Sequence, residues 1–558
     1  MVWHDEYSPY LLTIADLVSG IEKGFCGSNQ STNQSKEETM KPAENNPSNG
    51  ITRRDALKLS GLALGGMAIG STLIGPGPGD ILAAEDCPPV DACNWRTIPL
   101  ATERYTYYDR LPSYNPLDPN DPNTPLLPNE MRITFMGSCI PPVRRAQQMM
   151  SVFVEVGNAM GKPDQFVFDC GSGVCANYGA MGIGFGRMDK VFIAHLHGDH
   201  MSDLTHIYCF GPSADRKSPL YVWGPGPSNV DSPKGSGQYY DDGTKAFCEN
   251  LRKAMRWHSE SFSFQSTSYP DYTPPTRESW GLPVEPVPVG DDPPNDAYAM
   301  VPIELKWQNY GAEDGDNVAY DNKETGVRIT HFPVIHCRQG SIGYKLEWNG
   351  LTMIYTSDTK PEIRSRDQAI NGGKGVDVFI HEMVIPAEVW AFKNMGLTRP
   401  PLPDDLIYPT FLETVEGLKN IQNSSHTPQG AFGYLLSQIN PRPRLTVATH
   451  FPVANDTVAC ALNSVQAHCP DIQQIGPQLT WSFDLMVLRV TREQIVQLRA
   501  DVSDFGFSPV VRMPSDTMNP PKYHDVDGNP DPYAQINRDT EIKPQDEDGN
   551  CNYREDGY

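Results

Sequence analysis

The stretch VFIAHLHGDH, Val191 to His200, decides the fold of this chain. It begins as an apolar run typical of a buried strand and breaks into a loop that carries three histidines and one aspartate. Side chains at positions i and i+2 of an extended backbone point the same way, so His195 and His197 can share one metal ion while Asp199 and His200 turn towards a second. Imidazole and carboxylate are the ligands of zinc sites that keep a position open for water. Scattered surface histidines are the alternative, but the strand-then-loop context favours a metal site.

Length and composition limit the number of domains and the classes of partner that the chain can have. The 558 residues suffice for one large domain or two ordinary ones with extensions. Acidic residues number 69 and basic residues 45, which gives a formal net charge of −24. This balance argues against a nucleic-acid partner, since phosphates require a basic face. An acidic, solvated surface explains the same charge without any partner.

Residues 1–84 read as a leader. Arg53 and Arg54 precede a Gly- and Ser-diluted apolar run from Leu59 to Gly75, which is short for a membrane span of about 20 residues. The pattern resembles a twin-arginine export signal with cleavage after Ala84, and an ordinary amphipathic helix is the alternative. A start at Met40 would give the leader an ordinary length. We therefore predict a periplasmic or secreted protein with no stable membrane anchor after cleavage.

The twelve cysteines also bear on the compartment in which the protein resides. Cys26 lies in the leader, and the other eleven would sit in an oxidising compartment. Three pairs are close enough in sequence to form disulfides, although sequence does not fix the connectivity: Cys87 with Cys93, Cys170 with Cys175, and Cys460 with Cys469. None shows C-x-x-C spacing, so a cysteine metal site is not expected.

The remaining chain divides by composition. Residues 85–130 form an irregular arm, residues 131–512 the catalytic domain, and residues 513–558 an acidic irregular tail. A Pro-, Ser- and aromatic-rich insertion at about 259–299 is either a lid near the active site or a disordered insertion.

Strands lead up to the histidine loop. Apolar or alternating runs that end at turn residues predict strands at Met131–Ser138, Ser151–Val156, Gln165–Gly171 and Leu220–Trp223. Helical spacing marks Gly243–His258. Asp169, near the end of its strand, could brace the histidine loop through hydrogen bonds, or it could be a plain turn aspartate.

Later strand-like runs supply the other ligands. His336 is the predicted third ligand of the first metal, whereas His331 is expected to be structural. Asp358 follows a buried strand, where a carboxylate can bridge two zinc ions; the alternative is an N-cap of a short helix through Ile363. His450 completes the second metal. The predicted metal ligands are His195, His197, Asp199, His200, His336, Asp358 and His450.

A metal site that cleaves a bond also requires a proton donor for the leaving group. His381 ends a strand at a place where a leaving group would need a proton, and imidazole titrates near neutral pH. A structural histidine that closes the strand is the alternative. A helix is predicted from Gln429 to Gln438, with Thr427 or Ser425 as N-cap and Pro428 at its first position.

These residues resemble the metallo-β-lactamase-fold hydrolases over roughly Met131 to Met513, and in particular the ribonuclease Z and arylsulfatase branch. The similarity rests on eight motifs: Phe135–Ser138, His195–His200, Pro333–His336, Gly343-Tyr344, Ser357–Thr359, His381-Glu382, His426-Thr427 and Thr449–Phe451. The resemblance implies an α/β fold, a four-layer αβ/βα sandwich, with two zinc ions, a bridging hydroxide and His381 as proton donor. Iron or manganese are the alternative metals.

The chain also departs from familiar members of this group. The export signal, the acidic charge and the lack of a visible basic arm separate it from transfer-RNA processing. True β-lactamases of this fold often place a cysteine near the position of Asp358, which disfavours antibiotic hydrolysis. Exported hydrolases of the branch, including those named for guanitoxin biosynthesis, look more similar.

The sequence therefore predicts an exported dinuclear zinc hydrolase that cleaves a small-molecule ester, either a phosphodiester, a sulfate ester or a lactone. Asp199 and His381 are its predicted catalytic residues. An iron-dependent redox enzyme of the same fold and a non-catalytic metal-binding protein are the alternatives. The sequence indicates neither the substrate nor the oligomeric state.

Overall fold

The computed structural model describes residues 111–503, except 143, 159–160, 262–276, 281–297, 310–316 and 473–477. The predictions for the leader, for the arm up to residue 110, for the tail and for the Cys87–Cys93 pair lie outside the described residues. In the described part of the chain, no helix is both long enough and apolar enough to cross a membrane.

Two mixed β-sheets form the centre of the molecule. The first has nine strands in the order β1-β16-β15-β2-β3-β4-β5-β6-β7, and the second has seven in the order β14-β13-β12-β11-β10-β9-β8. The strands are β1 (Ser113–Tyr114), β2 (Met131–Gly137), β3 (Ser151–Val156), β4 (Asp164–Phe168), β5 (Lys190–Phe192), β6 (Leu220–Pro225), β7 (Met300–Leu305), β8 (Val318–Asn322), β9 (Val327–Pro333), β10 (Ile342–Trp348), β11 (Leu351–Tyr355), β12 (Val378–Glu382), β13 (Leu445–Thr449), β14 (Leu479–Trp481), β15 (Met486–Val490) and β16 (Ile495–Ala500).

Each sheet has a parallel portion that matters for the site. Strands β4, β5, β6 and β7 run parallel in the first sheet, and β11, β12, β13 and β14 do so in the second. The carboxyl ends of parallel strands meet at one edge of a sheet, where ligands bind in open α/β sheets. The loops that follow β4, β5, β11, β12 and β13 therefore gather on the edge of their sheets.

Helices cover the outer faces of both sheets. They are α1 (Val174–Ala180), α2 (Gly198–Met201), α3 (Leu204–Phe210), α4 (Thr244–Ala254), α5 (Arg256–Ser261), α6 (Arg277–Trp280), α7 (Ile363–Ile370), α8 (Ala387–Asn394), α9 (Tyr408–Ser425), α10 (Gln429–Ser437) and α11 (Asn455–His468). Helices α1, α3 and α4 pack on the first sheet, and α7, α10 and α11 on the second. The predicted four-layer α/β sandwich is confirmed.

The inner layer between the sheets is rich in aromatic side chains. Phe168 of β4 lies 5.6 Å from Tyr344 and 6.1 Å from Tyr355 of the second sheet, measured between ring centroids. Phe192 of β5 stacks on Trp223 of β6 at 4.6 Å. All five side chains are buried, and burying a large side chain contributes roughly 1.5–3 kcal/mol. This packing fixes the strands whose ends carry the histidine loop.

Two predictions about local structure are wrong. Pro428 is itself the N-cap of α10, because Ser425 still ends α9 and the Thr427 hydroxyl donates to the carbonyl of Thr359. The cysteine pairs Cys170–Cys175 and Cys460–Cys469 do not form disulfides in the structure. Cys460 and Cys469 pack into different apolar clusters, which keeps them apart.

The described piece of the predicted insertion does not cover the histidine loop. Trp280 of α6 packs against Tyr221 and Tyr320, with ring centroids 4.9 and 5.5 Å apart, and Lys190 lies 5.8 Å from its ring. Lys190 begins β5, whereas the histidine loop follows the end of that strand. Trp280 thus contacts the opposite end of β5, and most of the insertion lies outside the described residues.

Candidate metal centre

The predicted ligands converge at the shared edge of the two sheets. The histidine loop follows β5, His336 follows β9, Asp358 follows β11 and His450 follows β13. Asp169, Ser357 and His450 adopt positive φ angles of 55, 54 and 56° within two residues of the ends of their strands. Such left-handed backbone is uncommon outside glycine and clusters at functional sites. The three turns bend the chain sharply where each strand ends.

Three histidines form the first ligand group. Nε2 of His195 lies 3.0 Å from Nδ1 of His197, and Nε2 of His336 lies 3.1 Å from the same atom. The three ring nitrogens lie within 4.8 Å of one another. The structure thus brings together the three histidines that the sequence analysis predicts to share one ion.

Two carboxylates and two histidines form the second group. Nε2 of His200 lies 3.4 Å from Asp199 and 3.2 Å from Asp358, and Nε2 of His450 lies 3.2 Å from Asp199 and 3.5 Å from Asp358. Asp358 also lies 3.8 Å from Nε2 of His336, a ligand of the first group. Its carboxylate therefore stands between the two groups, as a bridging ligand must. Asp358 does not cap a helix, because Glu362 caps α7.

The donor set fits two zinc ions. Zinc binds imidazole nitrogen and carboxylate oxygen at about 2.0–2.2 Å in tetrahedral geometry, so neighbouring ligand atoms should lie about 3.3 Å apart. The measured separations of 3.0–3.5 Å within each group agree with that spacing. Nε2 of His200 and Oδ1 of Asp358 are buried without a hydrogen-bond partner among the described residues. Buried polar atoms without partners are costly unless they coordinate a metal.

The electrostatics of the cluster follow from its burial and its mixed charges. Burial opposes charge on His200, but Asp358, Asp199 and Asp169 together raise its pKa well above the ordinary value. Burial likewise opposes charge on Asp358, yet His450 and His200 hold its pKa well below the usual range. Burial lowers the pKa of His195, which favours the neutral imidazole that binds metals.

Outer hydrogen bonds orient the ligands. Oδ2 of Asp169 accepts from Nδ1 of His200 at 2.8 Å, and Oδ1 accepts from the backbone N–H of Ala194 at the same distance. Asp169 therefore braces both the start and the end of the histidine loop. Nδ1 of His336 donates to the carbonyl of Ser425 at 2.9 Å. Such contacts fix the tautomer and the ring orientation of metal-binding histidines.

Changing Asp169→Asn should weaken the second metal site. The amide keeps the shape but offers one acceptor oxygen where the carboxylate serves His200, Ala194, Tyr355 and Ser357. We expect zinc affinity to fall about 10–100-fold, measured by competition with a chelator. An unchanged affinity with intact fold would show that Asp169 is only a turn residue.

His381 does not lie in the metal centre, and its predicted role as proton donor is corrected. Successive side chains of a strand point to opposite faces, and Glu382 is the residue of this pair that faces the ligands. The ring of His381 packs on the other face against Phe379 and Phe432, 5.3 Å from each ring centroid. Burial lowers its pKa to about 4, so it is a neutral structural histidine. His331, buried with Nδ1 2.8 Å from the carbonyl of Asn317, is structural as predicted.

His426 and Glu382 occupy the place that was assigned to His381. Nδ1 of His426 lies 2.8 and 3.0 Å from the two carboxylate oxygens of Glu382, and its ring stacks on that of His450 at 5.5 Å. Burial opposes charge on His426, but Glu382 raises its pKa above the ordinary value. Ring atoms of His426 and His336 and carboxylate oxygens of Asp358 and Glu382 also lie within 4.8 Å of one another. Glu382 serves His426 and the backbone N–H of Thr359, which suits a positioning carboxylate more than a ligand.

A buried carboxylate supports the loop that carries His450. Asp484 accepts hydrogen bonds from the Ser138 hydroxyl at 2.8 Å, the Gln148 backbone N–H at 2.7 Å and the Asn177 amide at 2.9 Å. The carbonyl of Ser138 in turn accepts from the backbone N–H of Phe451, the neighbour of His450. Burial raises the pKa of Asp484 from 3.8 to about 7.

The raised pKa of Asp484 predicts a pH dependence of stability. The folded state holds this proton more tightly than the unfolded state, so the contribution is complete below about pH 4 and is lost as the pH rises through about 7. The free energy of unfolding of the Asp484→Asn variant should lack this decline. Denaturant titrations at several pH values on both proteins measure it, and parallel pH profiles would contradict the assignment.

Comparisons with known proteins give a partial match. No protein-family model matches the chain. It is 25% identical to ribonuclease Z of Mycolicibacterium gilvum over 241 residues, which cover 42% of this chain and 62% of that protein. The match thus spans less than two thirds of that relative.

Two solved structures resemble the fold at low similarity. The metallo-β-lactamase fold protein YhfI from Bacillus subtilis has a TM-score of 0.36 and 13% identity, covering 65% of this chain and 100% of that one. Human tRNase Z, short form, has a TM-score of 0.34 and 16% identity, covering 64% and 98%. The chain is thus similar to ribonuclease Z over part of its length, and its two facing mixed sheets with outer helices carry the histidine loop at their shared edge.

Proposed function

We propose that this protein is a metal-dependent hydrolase that cleaves an ester-type bond of a small molecule at a dinuclear centre. One observation carries the proposal: two separate ligand groups meet at Asp358, with the ion pair of His426 and Glu382 beside them. Each group offers three ligands of its own, and Asp358 would be shared between them. Catalytic zinc sites accept a water molecule or substrate beside such protein ligands, sometimes by expanding their coordination.

Two sets of residues would each bind one metal ion. His195, His197 and His336 would hold one ion, His200, Asp199 and His450 the other, and Asp358 would be shared. When bound, two such cations lower the pKa of a water molecule and stabilise negative charge that develops on the substrate. Zinc is the proposed metal, with iron or manganese as alternatives, because imidazole and carboxylate serve all three.

His426 supplies the proton that the leaving group needs. Its Nδ1 is held by Glu382, which leaves Nε2 of the same ring without a partner among the described residues. Burial opposes charge on His426, but Glu382 raises its pKa above the ordinary value, so the ring holds its proton more tightly than a free imidazole and can deliver it to a departing oxygen. Asp199 lies between His200 and His450 and fixes the second ligand group.

A phosphodiester, a sulfate ester or a lactone is the proposed substrate class, and RNA is not. The ribonuclease Z match raises RNA as an alternative, but it covers only 62% of that relative. The net charge of −24 would repel a polyanion, since RNA binding requires a basic surface.

We also propose export by the twin-arginine leader to the periplasm or beyond. The paired Arg53 and Arg54 before a Gly-rich apolar run support it. Fractionation of expressing cells should recover the wild-type protein outside the cytoplasm. Retention of the wild-type protein in the cytoplasm, alongside an Arg53→Lys/Arg54→Lys control, would refute export.

A substrate panel on protein of known metal content tests the activity. Chromogenic phosphomonoester, phosphodiester, sulfate ester, lactone and β-lactam substrates are assayed beside a transfer-RNA precursor. The proposal expects about two zinc equivalents per chain and turnover of one small ester class, abolished by a chelator. No more than one equivalent after reconstitution, or bound iron with oxygen consumption in place of hydrolysis, would refute it.

A further inference from the structure

A cavity of about 360 Å³ opens beside the first ligand group. His195 and His197 form part of its wall, and the loops after β6 and β9 contribute Ser228, Asp242 and Arg338 to it. Arg338 stands two residues after the ligand His336, in a turn closed by Gly340 with a φ of 104°. A substrate whose reacting bond lies at the histidines would extend into this space.

The guanidinium of Arg338 is held in a fixed orientation. Its Nε donates to the Ser228 hydroxyl at 3.0 Å, and its Nη2 lies 2.7 Å from Oδ2 of Asp242. Its Nη1 has no partner among the described residues, and the side chain is 44% exposed. Arginine keeps its charge at any physiological pH and presents a rigid, planar set of donors. Part of that set is left for a ligand.

The acceptors on this wall are already engaged. Asp242 accepts from the backbone N–H and the hydroxyl of Ser228 at 2.8 and 2.7 Å in addition to Arg338. Those hydrogen bonds, together with Arg338, outweigh burial and lower the pKa of Asp242, so it stays ionised and bound. The cavity therefore offers donors to a ligand. Tyr240, Ser232 and Gln339 line the same space with neutral polar groups.

We propose that this cavity is a specificity subsite in which Arg338 binds an acidic group of the substrate, a carboxylate or a similar oxyanion remote from the cleaved bond. The inference rests on the proposed hydrolase function and deepens it: the substrate is an ester that carries a second, non-reacting negative charge. Among the described residues that line the cavity, Arg338 is the one with a permanent positive charge, in a chain of net charge −24. A bidentate or charge-assisted hydrogen bond to such a group should tighten binding about tenfold or more.

Binding of simple carboxylates tests the subsite without requiring turnover. Isothermal titration of the zinc-loaded full chain is made with butyrate and with succinate, glutarate and adipate, which add a second carboxylate at increasing reach. The best dicarboxylate should bind at least about tenfold tighter than butyrate. Arg338→Gln should remove that preference and leave butyrate affinity within about twofold. The zinc content and thermal midpoint of the variant establish that its fold is intact.

Arg442→Gln is the matched control, because Arg442 lies at the surface and pairs with Asp471 at 2.6 Å. It removes the same charge and should keep the preference. Equal binding of mono- and dicarboxylates by the wild type, retention of the preference by Arg338→Gln, or its loss in Arg442→Gln would each overturn the subsite. If the proposed function fails instead, the substrate panel shows no turnover while the dicarboxylate preference persists.

Discussion

Replacing Asp358 by alanine is expected to abolish binding of the second metal equivalent and to lower kcat/KM at least about a thousandfold. Asp358 lies between the two ligand groups, 3.2 Å from Nε2 of His200 and 3.8 Å from Nε2 of His336. Without its negative charge, buried imidazoles face one another and two cations would repel with nothing between them. Metal analysis of the purified variant and kinetics on the substrate that the panel selects measure both effects.

Asp367→Ala is the control for this change. Asp367 lies on α7 with an exposed side chain that pairs with the neighbouring Arg366, so its loss should alter neither zinc content nor turnover. The charge change is the same at both positions. Two zinc equivalents in the Asp358→Ala variant would show that the carboxylate does not bridge, even if activity were lost.

The clustering of the candidate ligands was predictable because it depends on local geometry. The i, i+2 spacing of His195 and His197 and the placement of Asp358 and His450 directly after apolar strands are visible in the chain. Parallel strands then bring such ends to one edge without further information. The sequence left two interpretations of Asp169, a brace for the histidine loop or a plain turn residue. The hydrogen bonds to His200 and Ala194 decide in favour of the brace.

The choice between His381 and Glu382 was not predictable from the sequence. Both faces of β12 are apolar: Val378 and Ile380 pack between the sheets, and Phe379 packs under the outer helices. A strand buried on both sides shows no alternation, so the sequence does not reveal which face meets the ligands. His426-Thr427 stood in the sequence as a motif, but its contact with Glu382 spans 44 residues. A helix pair, α8 and α9, fills that interval.

Helix α9 is a second feature that the sequence alone predicts only weakly. The segment between α8 and α9 contains Pro400, Pro401 and Pro403, and α9 begins after it and runs for 18 residues with Pro409 in its first turn. Proline is accepted there because its missing N–H would have no partner. Phe411 and Val415 of α9 bury against Val389 and Phe392 of α8, and this packing stabilises a helix that its sequence marks only weakly.

Changing His426→Ala should lower kcat about 10²–10⁴-fold with both metal equivalents retained. His426 binds Glu382 through Nδ1 and stacks on His450, and among the described residues none of the predicted ligands is hydrogen-bonded to it. Because its pKa is raised, wild-type activity should fall on the alkaline side as the ring loses its proton. That alkaline limb of the pH–rate profile should be absent from the variant, and its persistence would assign the proton to another group.

Alanine substitution at His381 distinguishes its role from that of His426. His381→Ala removes a buried ring from between Phe379 and Phe432, so it should cost about 2–4 kcal/mol of stability through the cavity it leaves. Its kcat and the alkaline limb should stay within about fivefold of the wild type, since Glu382 and His426 keep their contact. If the cavity prevents folding, His381→Leu retains the volume and carries the same test. A loss of turnover in that leucine variant, with zinc bound and the fold intact, would show that His381, and not His426, is the proton donor.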